Sequence, residues 1–177
     1  MEIRNEMQDF MIHIPTQIFF GRTAIDHLAE SIAKWSPNKR VLLVYGGGSI
    51  KRMGLYQKVV DIFQGNGVFW KELPGVQPNP KMGLIREGVK ICKDNDIEAV
   101  LAVGGGSVID CCKVISAQAL LDEDIWEMEY GKGQFPNAGI PVGVVAEGRA
   151  AGAGYLHRLG SRHRDLHQHG AQQRGHQ

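Results

Sequence analysis

The stretch Ala99-Val100-Leu101-Ala102-Val103-Gly104-Gly105-Gly106-Ser107-Val108-Ile109-Asp110 decides the fold. Five apolar residues in a row fit a strand covered on both faces, as in a parallel sheet. Three glycines then turn the chain, and Ser107 opens a helix whose apolar side carries Val108, Ile109, Cys112, Ile115 and Ala119. An earlier stretch, Arg40-Val41-Leu42-Leu43-Val44-Tyr45-Gly46-Gly47-Gly48-Ser49-Ile50-Lys51, has the same form. A strand ending in Gly-Gly-Gly-Ser lets a phosphate approach the backbone, because glycine has no Cβ in the way. The following helix start offers free N–H groups and the positive end of a dipole. Neither copy is a Rossmann fingerprint, since Lys51 and Ile109 stand where the third glycine belongs. Neither is a Walker motif, because no Gly-Lys-Ser/Thr follows. One such turn is ordinary βα punctuation; two at successive strand ends point to a nucleotide cleft.

Outward from these units, the chain alternates strand and helix. Residues 10–20 have strand character with a bend at Pro15, and Gly21 ends the pair. Thr23 is placed to cap a helix running to Trp35, with Ile25, Leu28, Ala29 and Ile32 on one face. Leu55 to Phe63 and Leu84 to Lys93 have helical spacing. Val68 to Leu73, Ile97 to Val103 and Ile140 to Val145 read as strands. Pro74-Gly75-Val76-Gln77-Pro78-Asn79-Pro80 is a stiff loop. Asp122 to Glu127 starts a short acidic helix or loop. This order predicts an α/β fold, a Rossmann-like parallel sheet flanked by helices.

The bulk numbers exclude several function classes. A formal net charge of +1 gives no electrostatic case for nucleic acid or an anionic membrane. The apolar runs are too short to span a bilayer, and the N-terminus lacks the order of a signal peptide. A cytoplasmic location is expected. The three cysteines, Cys92, Cys111 and Cys112, make a poor disulfide framework and lack zinc spacing. They read as reduced core thiols, with a reactive or metal-binding thiol as the alternative.

Three charged features bear on function. Lys51 and Arg52 follow the first glycine triplet, either as a solvated pair or as recognition of a ribose 2′-phosphate. No acidic residue immediately follows Tyr45 to hold a ribose diol, which favours NADP over NAD. Asp110 and Lys113 are spaced for an exposed ion pair, and Asp110 also suits a helix N-terminus.

Composition changes after Val145. Residues 146–177 hold five of the seven histidines and no Lys, Val, Ile, Phe, Met or Trp. A segment this poor in large apolar side chains cannot offset its own ordering entropy, so 1–145 is expected to be the folded domain and 146–177 a disordered tail. His163, His167 and His169 have a spacing open to metal, but a flexible segment without function is the plainer reading.

Taken together, Phe20-Gly21, Gly75-Val76-Gln77-Pro78-Asn79-Pro80 and the run from Gly104 to Lys113 resemble the iron-containing alcohol dehydrogenases. The run from Val44 to Lys51 resembles the NADPH-dependent butanol dehydrogenase branch, and the resemblance covers about residues 7 to 145. It implies an N-terminal α/β domain that binds NADP(H) or NAD(H). A C-terminal all-helical domain would hold Fe²⁺ or Zn²⁺ through one Asp and three His. The metal would polarise the alcohol or aldehyde oxygen while the nicotinamide exchanges a hydride. The resemblance leaves a homodimer open to the full-length family. By position, Gly46, Gly47, Gly48, Ser49 and Lys51 would meet the adenosine 2′-phosphate, with Asn79 beside the adenosine end. Gly104, Gly105, Gly106 and Ser107 would cradle the pyrophosphate, with Asp110 toward the nicotinamide.

The resemblance stops short of the whole pattern. Where the family carries a cofactor-touching Thr-Gly-Ser-Glu segment, this chain reads Ala146-Glu147-Gly148-Arg149-Ala150-Ala151. The expectation is that the all-helical domain is absent with its metal ligands, that the tail is an out-of-frame reading, and that turnover is small. No catalytic or metal residue is assigned. Two alternatives stand beside this reading. One is a dehydroquinate-synthase-like or glycerol dehydrogenase relative; the other is a non-catalytic nucleotide-binding fragment.

Overall fold

In the computed structural model the described residues are 16–133, 136, 138–147 and 154–157. The expected strand before Pro15 and the tail histidines His163, His167 and His169 lie outside them. β1 (Ile18–Gly21) leads through a 3₁₀ turn into α1 (Leu28–Trp35) and β2 (Arg40–Tyr45). Next come α2 (Ser49–Arg52), α3 (Leu55–Gly65) and β3 (Phe69–Leu73). After them run α4 (Met82–Asp94), β4 (Ala99–Val103) and α5 (Gly106–Gln118). The chain continues through a π-helical turn at Glu127–Gly131 to β5 (Val142–Glu147) and β6 (Gly154–His157).

One sheet holds all six strands in the order β1-β6-β5-β4-β2-β3. β3, β2, β4 and β5 are parallel, while β6 pairs antiparallel with β5 and β1. The parallel sheet flanked by helices is therefore as the sequence predicts. From β2 the chain steps outward to β3, then returns past β2 to β4. Right-handed crossovers in opposite directions put their helices on opposite faces. Accordingly Leu43, Tyr45 and Val103 pack with α1 and α3 through Leu28, Ile32, Val59 and Phe63. Leu42, Val44 and Ala102 pack with α4 and α5 through Ile85, Val89, Cys111 and Ile115. Every residue of β4 is buried, which explains its unbroken apolar run.

Four local expectations need correction. Thr23 makes no side-chain cap; the chain enters α1 through the 3₁₀ turn Ala24–His27 instead. Ser107 lies inside α5, whose N-cap is Gly105, because the chain is already helical at Gly106. On α5 Cys111 is buried and Ile109 only partly so, since α4 and the sheet cover more of this helix than a single stripe. Composition predicts no element after 145, yet β5 continues through Glu147 and Gly154–His157 form β6. Antiparallel pairing recruits backbone groups and needs no large side chain.

Candidate functional site

The two glycine loops leave the C-terminal ends of β2 and β4, which are neighbours: Tyr45 pairs with Val103. Between them the crossovers diverge, α2 and α3 to one face and α5 to the other. In open α/β sheets such a divergence leaves a crevice beyond the strand ends, where ligands bind.

The first loop is tied down from below. Gly75 N–H donates to Gly46 O at 3.2 Å, and Val76 N–H donates to Tyr45 O at 3.2 Å. A Cβ on Gly46 would stand 3.2 Å from Val76 O. The second loop is anchored by Gly104 N–H donating to Val145 O at 3.1 Å. Gly104 has φ +148°, and a Cβ there would meet Val108 Cγ2 at 3.0 Å. In contrast, Gly47, Gly105 and Gly106 face open space, with nothing within 4 Å of an added Cβ. Ser49 is exposed and Ser107 half-buried. No side chain caps α5, and its first turn holds no acidic residue. Its N–H groups therefore keep their capacity for an anion.

Of the remaining predicted residues, Asn79 sits exposed in the loop between β3 and α4. Its φ of +58° is a left-handed conformation that asparagine tolerates. Asp110 is exposed on α5, and Lys113 Nζ lies 3.4 Å from it, the surface pair that spacing suggested. Such a pair contributes little to stability. Lys51 Nζ stands 5.3 Å from the centre of the Tyr45 ring and 4.8 Å from that of Tyr56.

A residue that sequence reasoning passed over joins this group. The Glu72 carboxylate on β3 accepts hydrogen bonds from Tyr45 Oη at 2.7 Å, Tyr56 Oη at 2.8 Å and Trp70 Nε1 at 3.3 Å. Burial alone would raise its carboxyl pKa. These donors and the Lys51 charge outweigh burial and hold it below the ordinary glutamate range. Burial and the bond to Glu72 push the Tyr45 phenol well above its ordinary value. The absence of an acid directly after β2 is a fact of the sequence. The fold nevertheless brings one to the end of β2 from the neighbouring strand. The sequence signal that could have found it is a lone acid at an alternate position from Trp70 in the strand Phe69–Leu73, on the same side of the strand as that ring.

Among the described residues, no three His, Cys, Asp or Glu side chains are grouped as metal ligands. Those residues do not by themselves fit the divalent metal that the resemblance implies. The two glycine loops leave open space at Gly47, Gly105 and Gly106. Among the described residues, no helix is long and apolar enough to cross a membrane.

The family model for iron-containing alcohol dehydrogenases matches residues 15–154. NADH-dependent butanol dehydrogenase B of Clostridium acetobutylicum is 49% identical over 122 residues, 69% of this chain and 31% of that protein. NADPH-dependent aldehyde reductase YqhD of Escherichia coli is 38% identical over 149 residues, 83% of this chain and 37% of that protein. The crystal structure of NADH-dependent butanol dehydrogenase A from Thermotoga maritima superimposes with a TM-score of 0.72 at 43% identity. That match covers 79% of this chain and 35% of the other. The chain thus spans about a third of the length of these curated relatives, 31–37%. With the family model matched over most of its length, the chain belongs to the iron-containing alcohol dehydrogenase family.

Proposed function

We propose that this chain is the dinucleotide-binding part of an oxidoreductase that interconverts a primary alcohol, butanol-like, and its aldehyde with NADP(H). One observation carries the reading: two glycine loops lie side by side at the ends of β2 and β4, where the crossovers diverge. Gly46, Gly47, Gly48 and Ser49 would take the adenosine end, with Asn79 near it. Gly104 to Ser107 would take the pyrophosphate through backbone N–H groups, and Asp110 would lie toward the nicotinamide. A bound nicotinamide supplies the hydride donor or acceptor. The chain's own residues bind and orient it.

NADP(H) is favoured by Lys51 and Arg52 at the first loop. A second reading, NAD(H), is favoured by Glu72, whose carboxylate reaches the end of β2. Turnover by this chain alone is proposed to be small. The support is the sequence from Ala146, which departs from the family's cofactor-touching Thr-Gly-Ser-Glu segment.

Fluorescence titration with NADPH, NADH and ATP tests the reading. Saturable binding of a nicotinamide dinucleotide with much weaker ATP binding supports it. Equal binding of ATP points to a general nucleotide module, and binding of none sinks the proposal.

A further inference from the structure

Two cations follow the first glycine loop, and the structure treats them differently. Lys51 lies over Tyr45 and Tyr56, whose hydroxyls both donate to Glu72. Glu72 thus gathers three elements: β3 itself, Tyr45 at the end of β2, and Tyr56 at the start of α3. Lys51 and Glu72 thus meet on the same two tyrosines, the ammonium over the rings and the carboxylate at the hydroxyls, which brings the Lys51 charge near the carboxylate. Arg52 lies outside this group. Its Nη1 stands 3.2 Å from where a Cβ on Gly48 would be, so the guanidinium hangs over the loop. Among the described residues, no carboxylate pairs with Arg52.

We propose that Glu72 is a positioning and selectivity residue for the adenosine end of the cofactor. It holds Lys51 against the two tyrosines and compensates its charge, so that Arg52 is the cation left to meet a 2′-phosphate at Gly48. The inference rests on the dinucleotide reading above and reassigns to Arg52 the contact that resemblance gave to Lys51. The physical basis is simple. A 2′-phosphate brings negative charge that NAD lacks, so it responds to every uncompensated charge within a few ångströms. A 2′-hydroxyl responds far less.

The test is the ratio of dissociation constants for NADPH and NADH, followed by nicotinamide fluorescence at low and high salt. Glu72→Gln keeps an acceptor for the hydroxyls and removes the charge. It should shift the ratio toward NADPH by about fivefold, with the shift shrinking at high salt. Arg52→Ala should shift it toward NADH by about tenfold, with NADH affinity itself little changed. If Glu72 acts by holding Lys51 back from the phosphate, the shift from Glu72→Gln should be smaller in a Lys51→Met background, where only the direct charge of Glu72 is left to remove. The prediction concerns a ratio and holds whichever dinucleotide the unaltered chain prefers.

Ratios unchanged within twofold in both single variants overturn the inference while the dinucleotide reading stands. A Glu72→Gln shift that survives undiminished in the Lys51→Met background overturns the route through Lys51. Failure of the unaltered chain to bind either dinucleotide overturns the underlying reading, and this one with it. Should Glu72→Gln fail to fold by circular dichroism, Arg52→Ala set against Lys51→Met decides: the larger shift toward NADH must come from Arg52→Ala, and a larger one from Lys51→Met overturns the inference.

Discussion

Val108 is wedged under Gly104: its Cγ2 lies 3.0 Å from where a Cβ on that glycine would stand. The same methyl is 3.8 Å from the corresponding point on Gly46. One side chain of α5 therefore props up both loops of the candidate cleft. Gly104 also has φ +148°, a region closed to residues with a Cβ. Gly104→Ala should destabilise the fold by about 1–3 kcal/mol and abolish tight dinucleotide binding. Gly46→Ala keeps an ordinary backbone and is tight only against Val76 O at 3.2 Å, so its stability cost should be smaller. Thermal melts of the two variants, read beside the unaltered chain, check the order.

Gly47, Gly105 and Gly106 give a cleaner test of the site. An added Cβ at any of them meets nothing within 4 Å. None of them has a positive φ. Alanine at Gly47 or Gly105 should leave the melting temperature within a degree or two, because no contact is disturbed. If phosphates lie against these turns, the same methyl stands in their way, and affinity should fall about tenfold or more. Unchanged affinity in both variants would remove the cleft from the binding argument.

Packing between α4 and α5 depends on Gly88. A Cβ there would stand 2.6 Å from Ile115 Cδ1 and 2.8 Å from Leu73 Cδ2. Both neighbours are fully buried, so neither has free space to move into. Gly88→Ala is expected to cost about 1–3 kcal/mol through overpacking. Ile115→Val removes the nearer of the two methyl groups and should recover part of that loss in the double variant. Additive losses in a denaturant-unfolding cycle would contradict this account.

Acid should weaken the fold through carboxylates it holds ionised. Glu98 accepts from Ser36 Oγ at 2.7 Å, Asn38 N–H at 2.8 Å and Asn38 Nδ2 at 2.5 Å. Burial alone would raise its pKa, but these donors and Arg40 win and lower it. Glu72 is lowered in the same way. A lowered carboxyl binds its proton more weakly in the folded chain than in the unfolded one. Its contribution is therefore complete above the ordinary glutamate pKa, about 4.3, and is lost as pH falls through the folded value. Stability should be level near neutrality and decline below about pH 5. Glu98→Gln should be less stable at pH 7 by about 1–2 kcal/mol and show a shallower acid decline. Denaturant unfolding at pH 7, 5 and 4 reads both quantities.

How much of this was legible depends on the range of each interaction. The runs Val41 to Tyr45 and Ala99 to Val103, each stopped by three glycines, fix strand, turn and helix locally, and the parallel sheet follows. Strand order does not follow from local pattern. It is what puts β2 between β3 and β4, the two loops side by side, and Glu72 beside Tyr45. Sequence neighbours of the first loop therefore include Lys51 and Arg52 but not Glu72, which reaches Tyr45 only across the ladder. The start of α5 differs from the sequence expectation for a smaller reason. Ser107 is a good cap, but a helix already under way at Gly106 leaves it no capping role. β6 was invisible because its pairing is carried by backbone, and backbone has no composition.

The thiols offer a final prediction that connects packing with the cleft. Cys92 on α4 and Cys111 and Cys112 on α5 are all buried. Burial pushes the Cys92 thiol up to about 12 and that of Cys111 to about 11. The Cys112 thiol is raised as well, through burial and then the neighbouring thiols Cys111 and Cys92. Since the thiolate is the nucleophile, all three should react slowly with a disulfide reagent at pH 8 and stoichiometrically once the chain is unfolded. Reaction in the folded chain then requires opening of the helices. Because α5 begins at the second glycine loop, a dinucleotide bound there should stabilise the closed form. It should slow labelling of Cys111 and Cys112 in proportion to its saturation. A rapid native phase of one or more thiols would contradict the burial, and labelling indifferent to a saturating dinucleotide would disconnect α5 from the bound ligand.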